Sequence, residues 1–164
     1  MIERSFELLF MKFEAFVEEL FYSYALGNQP ITGTAPSRTV VLSSEGDIER
    51  LFSGGKDYPD WTRWEYVVSQ SSLFFSPSPF QVLSNHMSVL NELKTIRNAL
   101  SHISGTSQSK FQSLVRNRLG FFPATGMDVS LFLITRIGNG STTIFFQKYL
   151  DETKIIAQKL CNPI

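Results

Sequence analysis

Arg97-Asn98-Ala99-Leu100-Ser101-His102 is the stretch of this 164-residue chain whose residue types and spacing suit chemistry. An arginine guanidinium stays charged and makes paired hydrogen bonds to phosphate oxygens. A histidine titrates close to neutrality, which suits proton transfer at cellular pH. On a helix, Asn98 and His102 are i,i+4 neighbours, near enough for the amide to orient the imidazole. The bland reading is a histidine that compensates a helix dipole and an arginine that bridges to a core acid.

Other chemistries find less support. With two histidines (His86 and His102) and one cysteine (Cys161), a zinc site would need carboxylates, and no spacing suggests one. The lone cysteine also excludes a disulfide framework and points to the cytoplasm. Gly54-Gly55-Lys56 lacks the pattern of a phosphate-cradling loop, and no serine-nucleophile elbow is present. No metal and no cofactor are expected. No run approaches the ~20 apolar residues of a membrane span, and Glu3, Glu7 and Glu14 interrupt any leader-like start.

The net charge is zero, which argues against non-specific coating of nucleic acid. Its distribution is uneven. Residues 93–127 hold Lys94, Arg97, Lys110, Arg116 and Arg118 and no acid, so positive charge gathers around the Arg97 stretch. A solvated segment with a chance excess is the plainer explanation.

Apolar spacing defines the elements that position these residues. Phe6, Leu9, Phe10, Phe13, Val17, Leu20, Phe21 and Tyr24 predict an amphipathic helix over 2–26, ended by Gly27. Residues 28–59 are turn-rich, with a short strand at 39–42 and a short helix at 46–52 as candidates. Asp60 is placed to cap a helix over 60–74 with Trp61, Trp64 and Val68 on one side. Ser76-Pro77-Ser78-Pro79 breaks it. A helix over 80–103 follows, stopped by Gly105, then one over 107–119 with Phe111, Leu114, Val115 and Leu119 inward, closed by Gly120 and Pro123. Residues 129–137 are apolar, and a last helix over 141–160 carries Phe146, Leu150, Ala157 and Leu160 as its stripe. The expectation is an all-α single domain over 1–164, a bundle of about five helices with an aromatic core.

On a wheel of ~100° per residue, Leu83, Met87, Leu90 and Leu93 share the buried face, and Arg97 lies inside it, ~20° from Leu90. An unpaired charge there is expensive, so Arg97 either pairs in the core or borders a cleft or an interface. Asn91, Thr95, Asn98 and His102 form one polar row on the adjacent face. Arg97 and His102 lie ~140° apart and meet only if the helix ends or bends. His86 falls on the apolar side, so the face with Arg97 and His86 is the candidate dimer seam.

Arg97, the polar Asn98 directly after it and His102 five positions on resemble the signature of the HEPN superfamily. The run from Leu93 to His102, then Ser109-Lys110-Phe111 and Leu114-Val115, is similar to the branch found in bacterial toxin and phage-defence loci. The Trp61/Trp64 helix and the aromatic first helix also sit where that branch has them. The likeness covers most of the chain and is weakest over 28–59. It implies a four- or five-helix bundle that forms a homodimer, with two motifs facing one cleft, acting as a metal-independent endoribonuclease. By position, Arg97 would hold the scissile phosphate and stabilise its transition-state charge. His102 would be the general acid/base, and Asn98 would orient it or the phosphate. RNA carries its own nucleophile in the 2′-OH, so these residue types suffice. Lys110, Arg116 and Arg118 would hold flanking phosphates. An antitoxin or a larger defence complex is the further partner implied. The alternative is a catalytically inactive HEPN-like module for dimerisation and for binding RNA or protein.

Overall fold

Of the fifteen phenylalanines, eleven among the described residues are buried, most of them in two aromatic clusters. A computed structural model of the chain describes residues 1–30, 32–53, 59–121, 123 and 126–162. Among them are seven α-helices and one 3-10 helix, and no strand. They are α1 (Ile2–Leu26), α2 (Glu45–Ser53), α3 (Trp64–Phe74), the 3-10 helix Pro79–His86, α4 (Met87–Ser101), α5 (Gly105–Leu119), α6 (Val129–Ile134) and α7 (Phe145–Cys161). Gly54-Gly55-Lys56 lies outside the described residues. Packing divides the chain into two compact units, Met1–Lys12 with Ser88–Thr153 and Phe13–Met87 with Lys154–Ile164. Helices α1 and α7 each supply residues to both, so the division follows no linker.

In the first unit, α4 buries Leu90, Leu93 and Ile96, and α5 buries Phe111, Leu114 and Val115. A run of rings joins them: Phe111 edge-on to Phe132 at 5.7 Å, Phe132 stacked on Phe145 at 4.4 Å, and Phe6 edge-on to Tyr149 at 6.1 Å. Edge and offset contacts at such separations add to the area these rings bury. The buried face of α7 is therefore Phe145, Tyr149, Thr153, Ile156 and Leu160, one residue out of phase with the expected Phe146, Leu150 and Ala157. The helix also starts later than expected, because 135–144 folds back on itself. Arg136 pairs with Ile144, and the Phe145 amide donates to the Thr135 carbonyl at 3.0 Å.

In the second unit, Phe21 is the hub, with Phe52, Trp61, Phe74, Phe75 and Phe80 all within 5.0–5.4 Å. The Tyr24 hydroxyl donates to the Leu160 carbonyl at 2.9 Å. Gly27 ends α1 as expected, with a φ of 91° and the Arg38 guanidinium 2.7 Å from where a Cβ would stand. Arg38 Nη1 also donates to the Ala25 carbonyl, satisfying a helix-end acceptor.

Several expectations are corrected. No strand forms at 39–42. Instead Arg38 makes an isolated bridge with Phe75, and the Thr39 amide donates to the Phe74 carbonyl at 2.8 Å. Asp60 does not cap a helix. Its carboxylate accepts from the Thr62 amide at 3.0 Å in a turn, and α3 begins at Trp64. The expected helix over 80–103 is two elements. Pro79 opens a 3-10 helix capped by Ser78, whose hydroxyl accepts from the Phe80 amide, and α4 ends at Ser101. The three-residue period brings Phe80, Leu83 and His86 to one side. Gly105 is not a stop but the first residue of α5, which Ser104 caps by accepting from the Ser107 amide at 3.2 Å. Ile103, expected inward, is 99% exposed.

Candidate functional site

The site residues belong to the α4–α5 pair of the first unit. Arg97 is half-buried near the end of α4. Its Nη1 donates to Asn98 Oδ1 at 3.2 Å, and its guanidinium lies 6.0 Å from the centre of the Phe10 ring. An amide oxygen and a ring face thus hold the arginine within the apolar stripe. No carboxylate among the described residues pairs with it.

His102 follows directly after α4 and is exposed. Its backbone amide donates to the Asn98 carbonyl at 3.0 Å, the closing bond of the helix. The helix end releases His102 from the ideal wheel. The Asn98 amide oxygen is engaged by Arg97, so the expected Asn98–imidazole contact is replaced by an Arg97–Asn98 contact. His86 sits in the 3-10 helix of the other unit, its Nε2 3.2 Å from Lys159 Nζ.

Two clefts run beside α4. One, of about 240 Å³, is lined by Asn91, Lys94, Thr95 and Asn98 of α4 and by Thr106, Ser107 and Lys110 of α5. The other, of about 500 Å³, includes Ser88, Glu92, Thr95, Lys110, Ser113 and Arg118. Asn91, Thr95 and Asn98 of the polar row legible in the sequence are therefore one wall of a cleft, whereas His102, the fourth of that row, lines neither cleft. Lys110 lines both clefts, as a substrate-binding residue would; Arg116 is exposed in the last turn of α5 and lines neither. Lys94, counted in the sequence only as part of the basic segment, lines the smaller cleft, and Thr106 and Ser107 are additions that sequence reasoning missed. Their signal would have been the α5 N-terminus, which the misplaced helix start concealed.

A side-chain clasp closes each end of the α4–α5 pair. At one end Gln108 Nε2 donates to the Ala99 carbonyl at 3.0 Å, satisfying an acceptor in the last turn of α4. At the other, Glu92, 8% exposed, accepts from Arg118 Nε at 3.1 Å, from Arg118 Nη2 and from the Tyr149 hydroxyl at 2.8 Å. The hydrogen bond to Glu92 raises the Arg118 guanidinium, and burial followed by the Glu92 charge pushes the Tyr149 hydroxyl well above the ordinary tyrosine range. Arg118 is thereby corrected from an RNA-binding candidate to a structural residue, paired with an acid just outside the acid-free segment.

No three His, Cys, Asp or Glu side chains among the described residues gather as a metal cage. None of the described helices is long and apolar enough to cross a membrane. No family model, curated protein or solved structure matches the chain.

Proposed function

We propose that the chain is a HEPN-type endoribonuclease of the toxin–antitoxin or anti-phage kind, which cuts RNA through the 2′-OH without a metal. The observation that carries this reading is a half-buried arginine with no carboxylate partner among the described residues, five residues before an exposed histidine at the same helix end. A guanidinium in a partly desolvated position is suited to a phosphate whose charge grows in the transition state. The 2′-oxygen attacks the adjacent phosphorus while a base takes its proton. The P–O5′ bond breaks as an acid protonates the leaving oxygen, giving a cyclic phosphate and a 5′-hydroxyl. Each protomer supplies one His102, so a homodimer would supply both base and acid.

The second reading, an inert HEPN-like module for binding, draws on Asn98. Its amide is turned to Arg97, and within one protomer nothing among the described residues orients the imidazole. Cleavage of a mixed RNA pool in EDTA by wild-type protein and by His102→Ala decides between them. Loss of cutting in a folded, dimeric His102→Ala supports the nuclease, with cyclic-phosphate ends on the wild-type products. Equal cutting by both sinks it, and no cutting by either moves the assignment to the binding module.

A further inference from the structure

The two clefts share Thr95 and Lys110 and so form one groove along the α4–α5 pair. From Ser88 to Asn98 it follows ~15 Å of helix, at ~1.5 Å per residue. Lys94 and Lys110 line it, and the first turn of α5 contributes Thr106 and Ser107, with its helix dipole positive at that end. Glu92 is the acid on the wall, and Arg118 neutralises it. The groove therefore favours an anion along its length.

We propose that this groove is the track of a single RNA strand whose sugar-phosphate backbone leads to His102. The inference rests on the nuclease reading and names how its substrate is held. The Ser109 hydroxyl and the Asn117 amide match phosphate oxygens, while the Thr95 and Ser113 hydroxyls donate to the Asn91 and Ser109 carbonyls and keep acceptor capacity for 2′-hydroxyls. Among the described residues no aromatic ring lines either cleft, so their contacts would be to the backbone of the strand and not to stacked bases. Clefts of about 240 and 500 Å³ give room for the backbone of one strand. Asn98 lines the end of the groove, and His102 stands one helical turn beyond it, its backbone amide bonded to the Asn98 carbonyl, so the groove ends close in the chain to the histidine without including it.

The test is fluorescence anisotropy with short labelled RNA on His102→Ala protein, which leaves the strand uncut. Adding Lys110→Ala should weaken binding about fivefold and make the log K against log salt slope shallower by ~0.7, the value of one single-strand phosphate contact. The loss should be equal for uridine-only and mixed strands. Adding Lys154→Ala, on exposed α7 surface, should change nothing. Unchanged affinity and slope in Lys110→Ala would overturn the groove, as would duplex RNA binding as tightly as a single strand, or no RNA binding at all. The two ideas fail separately. Cutting that survives His102→Ala, with binding still dependent on Lys110, removes the nuclease and keeps the RNA track. Cutting that needs His102, with binding indifferent to Lys110, does the reverse.

Discussion

Replacing Glu92 by alanine removes the acceptor at the centre of the first unit's polar clasp. The Tyr149 hydroxyl, on a fully buried residue, then loses its partner, at a cost of about 1–3 kcal/mol. The Arg118 side chain keeps 34% of its exposure and can turn to water, so its loss counts as a surface pair, about 1 kcal/mol at most. The sum is about 1–4 kcal/mol, or roughly 2–16 °C in melting temperature for a chain of this size. Tyr149→Phe keeps the ion pair and removes one donor, so it should cost only about 1 kcal/mol. Arg118→Ala strands a carboxylate that is 8% exposed and should approach the Glu92→Ala cost. Urea denaturation of the two single variants and the double completes the cycle. The double should cost well under the sum, because either deletion already breaks the same contact. Strict additivity, or a Glu92→Ala cost below about 0.5 kcal/mol, would refute the clasp as a source of stability.

Two further predictions concern the tyrosines and a helix end. Burial pushes the Tyr24 hydroxyl up to about 12, so the folded chain keeps that proton after an unfolded chain has lost it. This contribution is complete below about pH 10 and should fade by about 2–3 kcal/mol as pH rises to about 12. Denaturant titrations across that range should show a shallower decline for Tyr24→Phe, and parallel curves would count against it. Gly120 ends α5 at a φ of 73° with open space where a Cβ would stand. Gly120→Ala should therefore cost about 1 kcal/mol from backbone strain alone, read as a lower melting temperature, and an unchanged melt would contradict it.

The helices were legible wherever apolar residues recur at three and four on one face. The first helix shows this best, since Phe6, Phe10, Phe13, Val17 and Phe21 are all buried. In the last helix Phe145 and Phe146, or Tyr149 and Leu150, offer two stripes a residue apart, and local spacing cannot choose. The ring of Phe132 chooses, by stacking on Phe145. The role of Glu92 was not legible, because its partners lie 26 and 57 residues away. The polar row to His102 was readable from helical phase. That it faces α5 was not, because the start of α5 depends on the Ser104 cap and was placed too late.

The bond from Tyr24 to Leu160 spans 136 residues, and Phe6 meets Tyr149 across a similar interval. During synthesis at ~5–20 residues per second, α1 leaves the ribosome roughly 7–27 s before the residues that meet it. Through that interval Phe6 lacks Tyr149 and local helix formation alone cannot cover it, whereas Phe13 and Phe21 find their rings earlier, in Trp64 and in residues 52–80. A nascent chain of this kind offers the Phe6 end of its first helix to any holding chaperone, and its final packing waits for the last helix to emerge.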